Sequence, residues 1–434
     1  MIGMNDASLL EAELYSKEET TGMTGIEDQR IFHEPMNEHT SLFDAFQLLL
    51  NTAIGSGTLM VPYCYRSGVA LSLFTSFIFA TIGYFTLSFM AESGYFTHTY
   101  DYRGLFAHTF GKNRLWIINV MITCVQLGAS MIYSLWNGRL TPKLLGTSGM
   151  KFPLGSIRFW TIVIPITFSV PLVCLKSIHI LEKLAVLSTF TIILLIVHAL
   201  YWMIVHIHQN GFDPNGQFRW VHFNAAAITS LSVNSMAYNC HMNLFAALEP
   251  MKMATVGRAR KLAMTTVVSA YVLYNIFGIF TYFDLFDKIE GSSLECYESK
   301  NIFTKITLVG LIFMLILSVP IVVWAARNSV LNLIWKDQPP TTCRWITVGT
   351  IISVCAAGLA ATSENVIIFF DIVGGFFTPT IIFFMPAIFY IRNQRNEPRW
   401  RIIVAWIIAC FTVVSICISL YQTGKEIAAE FKKK

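Results

Sequence analysis

The sequence predicts an all-α polytopic membrane protein with about eleven transmembrane helices, and three observations carry that expectation. The first is composition: of 434 residues, 54% are hydrophobic and 13% charged, where soluble domains carry about 25% charged residues. The second is a series of eleven apolar runs, each close to the roughly 20 residues that cross a bilayer's hydrocarbon. The third is that the first and sixth runs carry polar residues, and the first also glycine, at their middle. In hydrocarbon an unpaired backbone group costs several kcal/mol, so such a break is tolerated only where it is buried in protein or lines a cavity.

The runs cover roughly 43–65, 69–91, 116–137, 159–176, 184–207, 223–248, 263–283, 304–326, 345–362, 365–391 and 402–422. Residues 1–40 are polar and acidic, with Glu11, Glu13, Glu18, Glu19, Glu27, Asp28, Glu34 and Glu38. We expect them to form a disordered cytosolic tail. They hold no basic stretch followed by an apolar one, as a cleaved signal would. Within them Asp6-Ala-Ser-Leu-Leu10 resembles an acidic dileucine sorting signal. Residues 41–422 are expected to form the membrane domain and 423–434 a short polar tail. With the N-terminus in the cytosol, basic residues concentrate on the inner side, as the positive-inside rule requires. The loop Asp284–Lys300 is net acidic and suits the outer side.

Several functions are excluded early. The net charge of +5 is small for this length, and no basic cluster with interleaved aromatics lies outside the apolar runs, so nucleic-acid binding has no support. Eight of the nine cysteines lie in or beside apolar runs, and none has metal-site spacing. We find no Gly-x-Ser-x-Gly, no His-Glu-x-x-His and no paired intramembrane Asp, so the chain is not expected to be an enzyme or to carry a cofactor.

The first run contains Asn51-Thr-Ala-Ile-Gly-Ser-Gly-Thr-Leu-Met-Val-Pro-Tyr63, and the sixth contains Ile228-Thr-Ser-Leu-Ser-Val-Asn-Ser-Met-Ala-Tyr-Asn-Cys-His-Met-Asn243. A separation of five spans is what a 5+5 inverted repeat produces, with the two breaks meeting at the membrane midplane. Half-helix N-termini suit a carboxylate, and freed carbonyls suit an ammonium or a cation. An α-amino acid presents both groups.

Asn51–Tyr63 resembles the first helix of the amino acid/auxin permease family, within the amino acid–polyamine–organocation superfamily. Ala237-Tyr-Asn-Cys-His241 with Asn243 and Glu249 is similar to that family's sixth helix, Leu317–Val322 with Arg327–Val330 to its eighth, and Asp371–Gly375 with Phe384–Tyr390 to its tenth. The resemblance implies eleven helices in a LeuT-like fold, an inside N-terminus and alternating access. It also implies secondary transport of neutral amino acids coupled to H⁺ or Na⁺. Two positions depart from the sodium-coupled animal members: Met242-Asn243 stands where they often have Pro-Glu, and Ser318 where they have Thr. Pro62 is commoner in vacuolar and lysosomal branches, so a vacuolar or lysosomal-type membrane and the plasma membrane both stay open.

In this reading Thr52, Ala53, Ile54, Gly55, Ser56 and Gly57 cradle the substrate carboxylate; a glycine here can also serve only to let helices pack closely. Asn51 and Ser318 offer oxygens to Na⁺. His241, whose ordinary pKa of about 6.5 falls in the working range, and Asp371 are the candidates for proton coupling. Asn234, Ser235 and Tyr238 are expected to line the pocket for the amino group and side chain. Tyr133, on one helix face with Gln126 and Ser130, is expected to close it. The rival function is an amino-acid sensor or receptor on the same fold.

Overall fold

The computed structural model describes Ile31 and residues 40–433, apart from 176–178, 214–215, 290, 292, 298–299, 337 and 394–397. The expected acidic tail and its dileucine-like signal therefore lie, save for Ile31 and Thr40, outside the described residues. At 56, 179–188, 430–431 and 433 only the backbone is described.

Helices account for nearly all of the described membrane region. The first run is split. Ser41 caps α1 (Leu42–Ala53) through a capping box with Asp44, and α2 (Ser56–Cys64) restarts after Gly55. There follow α3 (Val69–Thr97), α4 (Tyr102–Phe110), α5 (Leu115–Leu145), α6 (Ile157–Ile164) and the short α7 (Val170–Val173). A π-helical turn at Pro165–Ser169 joins α6 to α7, where Pro165 has no N–H for an α-helical bond. After α8 (His179–Asn210) the sixth run is split as well, into α9 (Ala225–Ala237) and α10 (Leu244–Leu248) with a tight turn at His241–Asn243 between them. The remaining helices are α11 (Val256–Leu285), α12 (Ile302–Trp335), α13 (Thr342–Ala360), α14 (Val366–Ile372), α15 (Met385–Asn393) and α16 (Arg399–Lys433). Two π-helical segments, Val373–Phe377 and Thr380–Phe384, connect α14 to α15. The last helix continues through 423–433 rather than stopping at the end of its apolar run.

Among the described residues, eight helices are long and apolar enough to cross a membrane, and Ile157–Val173 is a shorter apolar helix. Their outward faces carry Phe74, Phe77, Phe168, Phe190, Ile407 and Val414, all exposed. That is the surface expected where the solvent is lipid. Inside, α5 packs along α12, α3 along α11, and α9 along α2. All nine cysteines are free thiols, and no group of three metal-binding side chains occurs among the described residues.

The two broken spans cross at Gly57. A Cβ there would lie 2.5 Å from the Cα and N of Ala237, so the backbones touch and only glycine fits. The end of α9 is held from behind, where the Tyr274 hydroxyl of α11 donates to the Ala237 carbonyl at 2.9 Å.

Candidate functional site

A cavity of about 220 Å³ opens between the two breaks. The first break brings Leu48, Asn51, Thr52, Ile54 and Gly55 to its wall. The second brings Met236, Asn239, Met242, Asn243 and Ala246, α5 brings Gln126, Ala129 and Tyr133, and α12 brings Ser318, Ile321, Val322, Trp324 and Ala325. None of these described residues is charged. Two larger hollows, of about 530 and 690 Å³, lie against the acidic loop between α11 and α12 and include none of the candidate substrate or ion residues.

The break itself follows from local backbone. Ile54, with φ −72° and ψ 73°, leaves the helical region, and Gly55 at φ −123° and ψ −143° starts α2 without a side-chain cap. The first N–H groups of a helix have no partner within it. Here they begin at a residue on the cavity wall, an arrangement suited to an anion. The Tyr133 hydroxyl closes over this point, since a Cβ on Gly55 would meet it at 2.9 Å. On the other side of the wall, Asn243 Nδ2 donates to Thr52 Oγ1 at 2.9 Å, which joins α1 to the second half of the sixth span. Asn51 Oδ1 accepts from Thr189 Oγ1 of α8, and Ser318 Oγ donates to the Met314 carbonyl at 2.9 Å.

The structure thus gathers Asn51, Thr52, Ile54, Gly55, Tyr133, Gln126 and Ser318 around one cavity. It places other candidates elsewhere. Ala53 is buried in packing, Gly57 sits at the helix crossing, and Ser56 is described by its backbone alone. Asn234 Nδ2 donates to the Ser230 carbonyl and Ser235 Oγ to that of Leu231, both at 2.8 Å within their own helix. Tyr238 turns away from the cavity: its hydroxyl meets Ser76 Oγ at 2.9 Å, in a chain that continues through Asn275 to Tyr65. His241 is fully buried with Nε2 at 2.8 Å from Thr86 Oγ1, because the tight turn after Cys240 aims it at α3. Asp371 is buried beside Thr229, whose hydroxyl donates to Oδ2 at 3.3 Å. Ser130 is buried and off the cavity wall.

The wall residues that sequence reasoning left out of the site are chiefly Asn239, Asn243 and the Ile321–Ala325 stretch of α12. The two asparagines were visible as polar residues in the sixth span. Ile321, Val322, Trp324 and Ala325 are ordinary apolar span residues; Ile321 and Val322 belong to the stretch that resembles the family's eighth helix, but nothing in their residue types marks a cavity wall.

Two broken spans around a cavity whose described wall is uncharged, in a bundle of apolar helices, are the arrangement of a membrane transporter fold. Residues 38–424 match the family described as transmembrane amino acid transporter protein, and the chain belongs to this family of multi-pass transporters, which are not enzymes. It is 25% identical over 358 residues to a Mus musculus protein provisionally named sodium-coupled neutral amino acid transporter 11, covering 81% of this chain and 77% of that one. Among solved structures it resembles MhsT in complex with L-phenylalanine, with TM-score 0.61, 12% identity, and 90% and 100% of the two chains covered. It also resembles the manganese transporter of Eremococcus coleocola, with TM-score 0.58, 12% identity, and 94% and 92% covered. These two likenesses concern the fold.

Proposed function

We propose that the chain is a Na⁺-coupled symporter of neutral amino acids that works by alternating access. In this reading the membrane domain has eleven spans: the eight long helices, the two broken ones and Ile157–Val173. Ten of them form a 5+5 inverted repeat, and the acidic tail is the cytosolic N-terminal segment. The observation that carries the reading is the uncapped start of α2 at Gly55, opening on a cavity whose described wall is uncharged. The substrate carboxylate would lie at the N-terminal end of α2, beside Gly55 and under the Tyr133 hydroxyl. A charged side chain would be desolvated there without a counter-charge, which is costly.

Asn51 and Ser318 flank the same cavity and offer hard oxygens for Na⁺. The name of the mouse relative supports sodium. The placement of His241 against Thr86, off the cavity wall, weighs against this histidine as a proton carrier. Buried Asp371 carries the second reading, in which H⁺ is the coupled ion. The test is uptake of an amino-acid panel into proteoliposomes with Na⁺ and pH gradients imposed separately. Saturable uptake driven by Na⁺ alone is the expected result. Uptake driven only by the pH gradient would replace sodium by the proton, and binding without flux would leave a sensor on a transporter fold.

A further inference from the structure

The amide of Asn243 is oriented by its neighbours. Thr52 has one hydroxyl hydrogen, and it is donated to the Leu48 carbonyl at 2.9 Å. Towards Asn243, 2.9 Å away, the Thr52 oxygen is therefore an acceptor only. The amide must face it with nitrogen, an assignment that comes from the hydrogen-bond network and not from the shape of the group. Its oxygen then points away from Thr52, on a half-buried residue of the cavity wall. The wall joins apolar Leu48, Met242, Ala246, Ile321 and Val322 to the donors Asn51, Gln126, Tyr133, Asn239, Ser318 and Trp324, and among the described residues the Asn243 side chain bonds Thr52 alone.

We propose that the Asn243 amide oxygen determines which neutral side chains the cavity prefers. It accepts a hydrogen bond from a substrate side chain that carries an N–H or O–H donor, such as a primary amide or a hydroxyl. As a neutral amide in place of a carboxylate, it also leaves a cationic side chain without a counter-charge. Thr52 is the positioning residue, because its committed hydrogen fixes which way the amide faces. The inference rests on reading the cavity as an amino-acid site.

The test uses the full chain in proteoliposomes with glutamine, serine, leucine and lysine as probes. Asn243→Leu is expected to raise the ratio of the KM for glutamine to that for leucine about tenfold, the loss of one hydrogen bond. Asn243→Asp is expected to admit lysine at a rate at least tenfold above the wild type, by supplying the counter-charge. Thr52→Val keeps the side-chain shape and releases the amide, so the glutamine-to-leucine KM ratio should rise about threefold. If the aspartate variant does not reach the membrane, Thr52→Val and Asn243→Leu still decide. An unchanged KM ratio in both overturns the role of Asn243. A wild type that takes up none of the probes overturns the amino-acid reading of the cavity, and this inference with it.

Discussion

The two broken spans reach the cavity in different ways. The first does so through backbone: Ile54 and Gly55 leave helical geometry, and the wall is formed by the break itself. The second has more polar residues but commits most of them to packing. Asn234 and Ser235 bond their own helix, Tyr238 bonds Ser76, and His241 bonds Thr86. Only Asn239 and Asn243, in the stretch unwound beyond Ala237, reach the cavity with polar side chains. A polar side chain in a span is satisfied by whatever is nearest. It becomes available to a ligand where the helix that would absorb it is missing.

The largest effect should come from the two glycines of the first break, which have opposite surroundings. Gly57→Ala puts a Cβ 2.5 Å from the Ala237 backbone. Backbone cannot swing aside, so the spans must separate, and we expect loss of folded protein in a thermal-melt assay together with loss of uptake. Gly55→Ala puts a Cβ 2.9 Å from the Tyr133 hydroxyl, the far end of a side chain. We expect this variant to fold and to show a raised substrate KM. Tyr133→Phe in the same chain should recover part of the loss by removing the oxygen that the Cβ meets. Equal melting temperatures for the two alanine variants would break the distinction between crossing point and cradle.

Next in size is the ion. Asn51→Ala removes a wall oxygen while the rest of the break remains. We expect the Na⁺ concentration for half-maximal uptake to rise by about tenfold or more, as for a lost hydrogen-bonded charge contact. Without Na⁺ the melting temperature should fall only by what the lost bond from Thr189 contributes, about 1 kcal/mol. A pH profile of uptake that moves with Asn51→Ala while Na⁺ dependence stays fixed would transfer coupling to the proton.

The long apolar runs were legible in sequence because lipid imposes length and hydropathy directly. The first break was legible because two glycines and an Asn at mid-span weaken a lipid-embedded helix unless its backbone opens there onto protein or a cavity. Side-chain direction at the second break was not legible. Asn234, Tyr238 and Asn239 differ in the helical phase and unwinding of a few residues, which the residue types do not specify. The apolar half of the cavity, from Ile321 to Ala325, looks like any other span because a binding wall and a lipid face are made from the same side chains.

The smallest expected effect separates the two kinds of polar residue in the second span. Tyr238→Phe deletes the hydroxyl that meets Ser76 at 2.9 Å, away from the cavity. One buried hydrogen bond is worth about 1 kcal/mol, so the melting temperature should fall while KM stays unchanged. Asn239→Ala removes a half-buried side chain from the cavity wall. Here the melting temperature should barely move, and KM should rise a few-fold. The pair reads one physical distinction twice, because adjacent residues of the same span face a helix in one case and the cavity in the other. If Tyr238→Phe instead raised KM and Asn239→Ala instead lowered stability, the unwinding would start a residue earlier, and Tyr238 would return to the pocket.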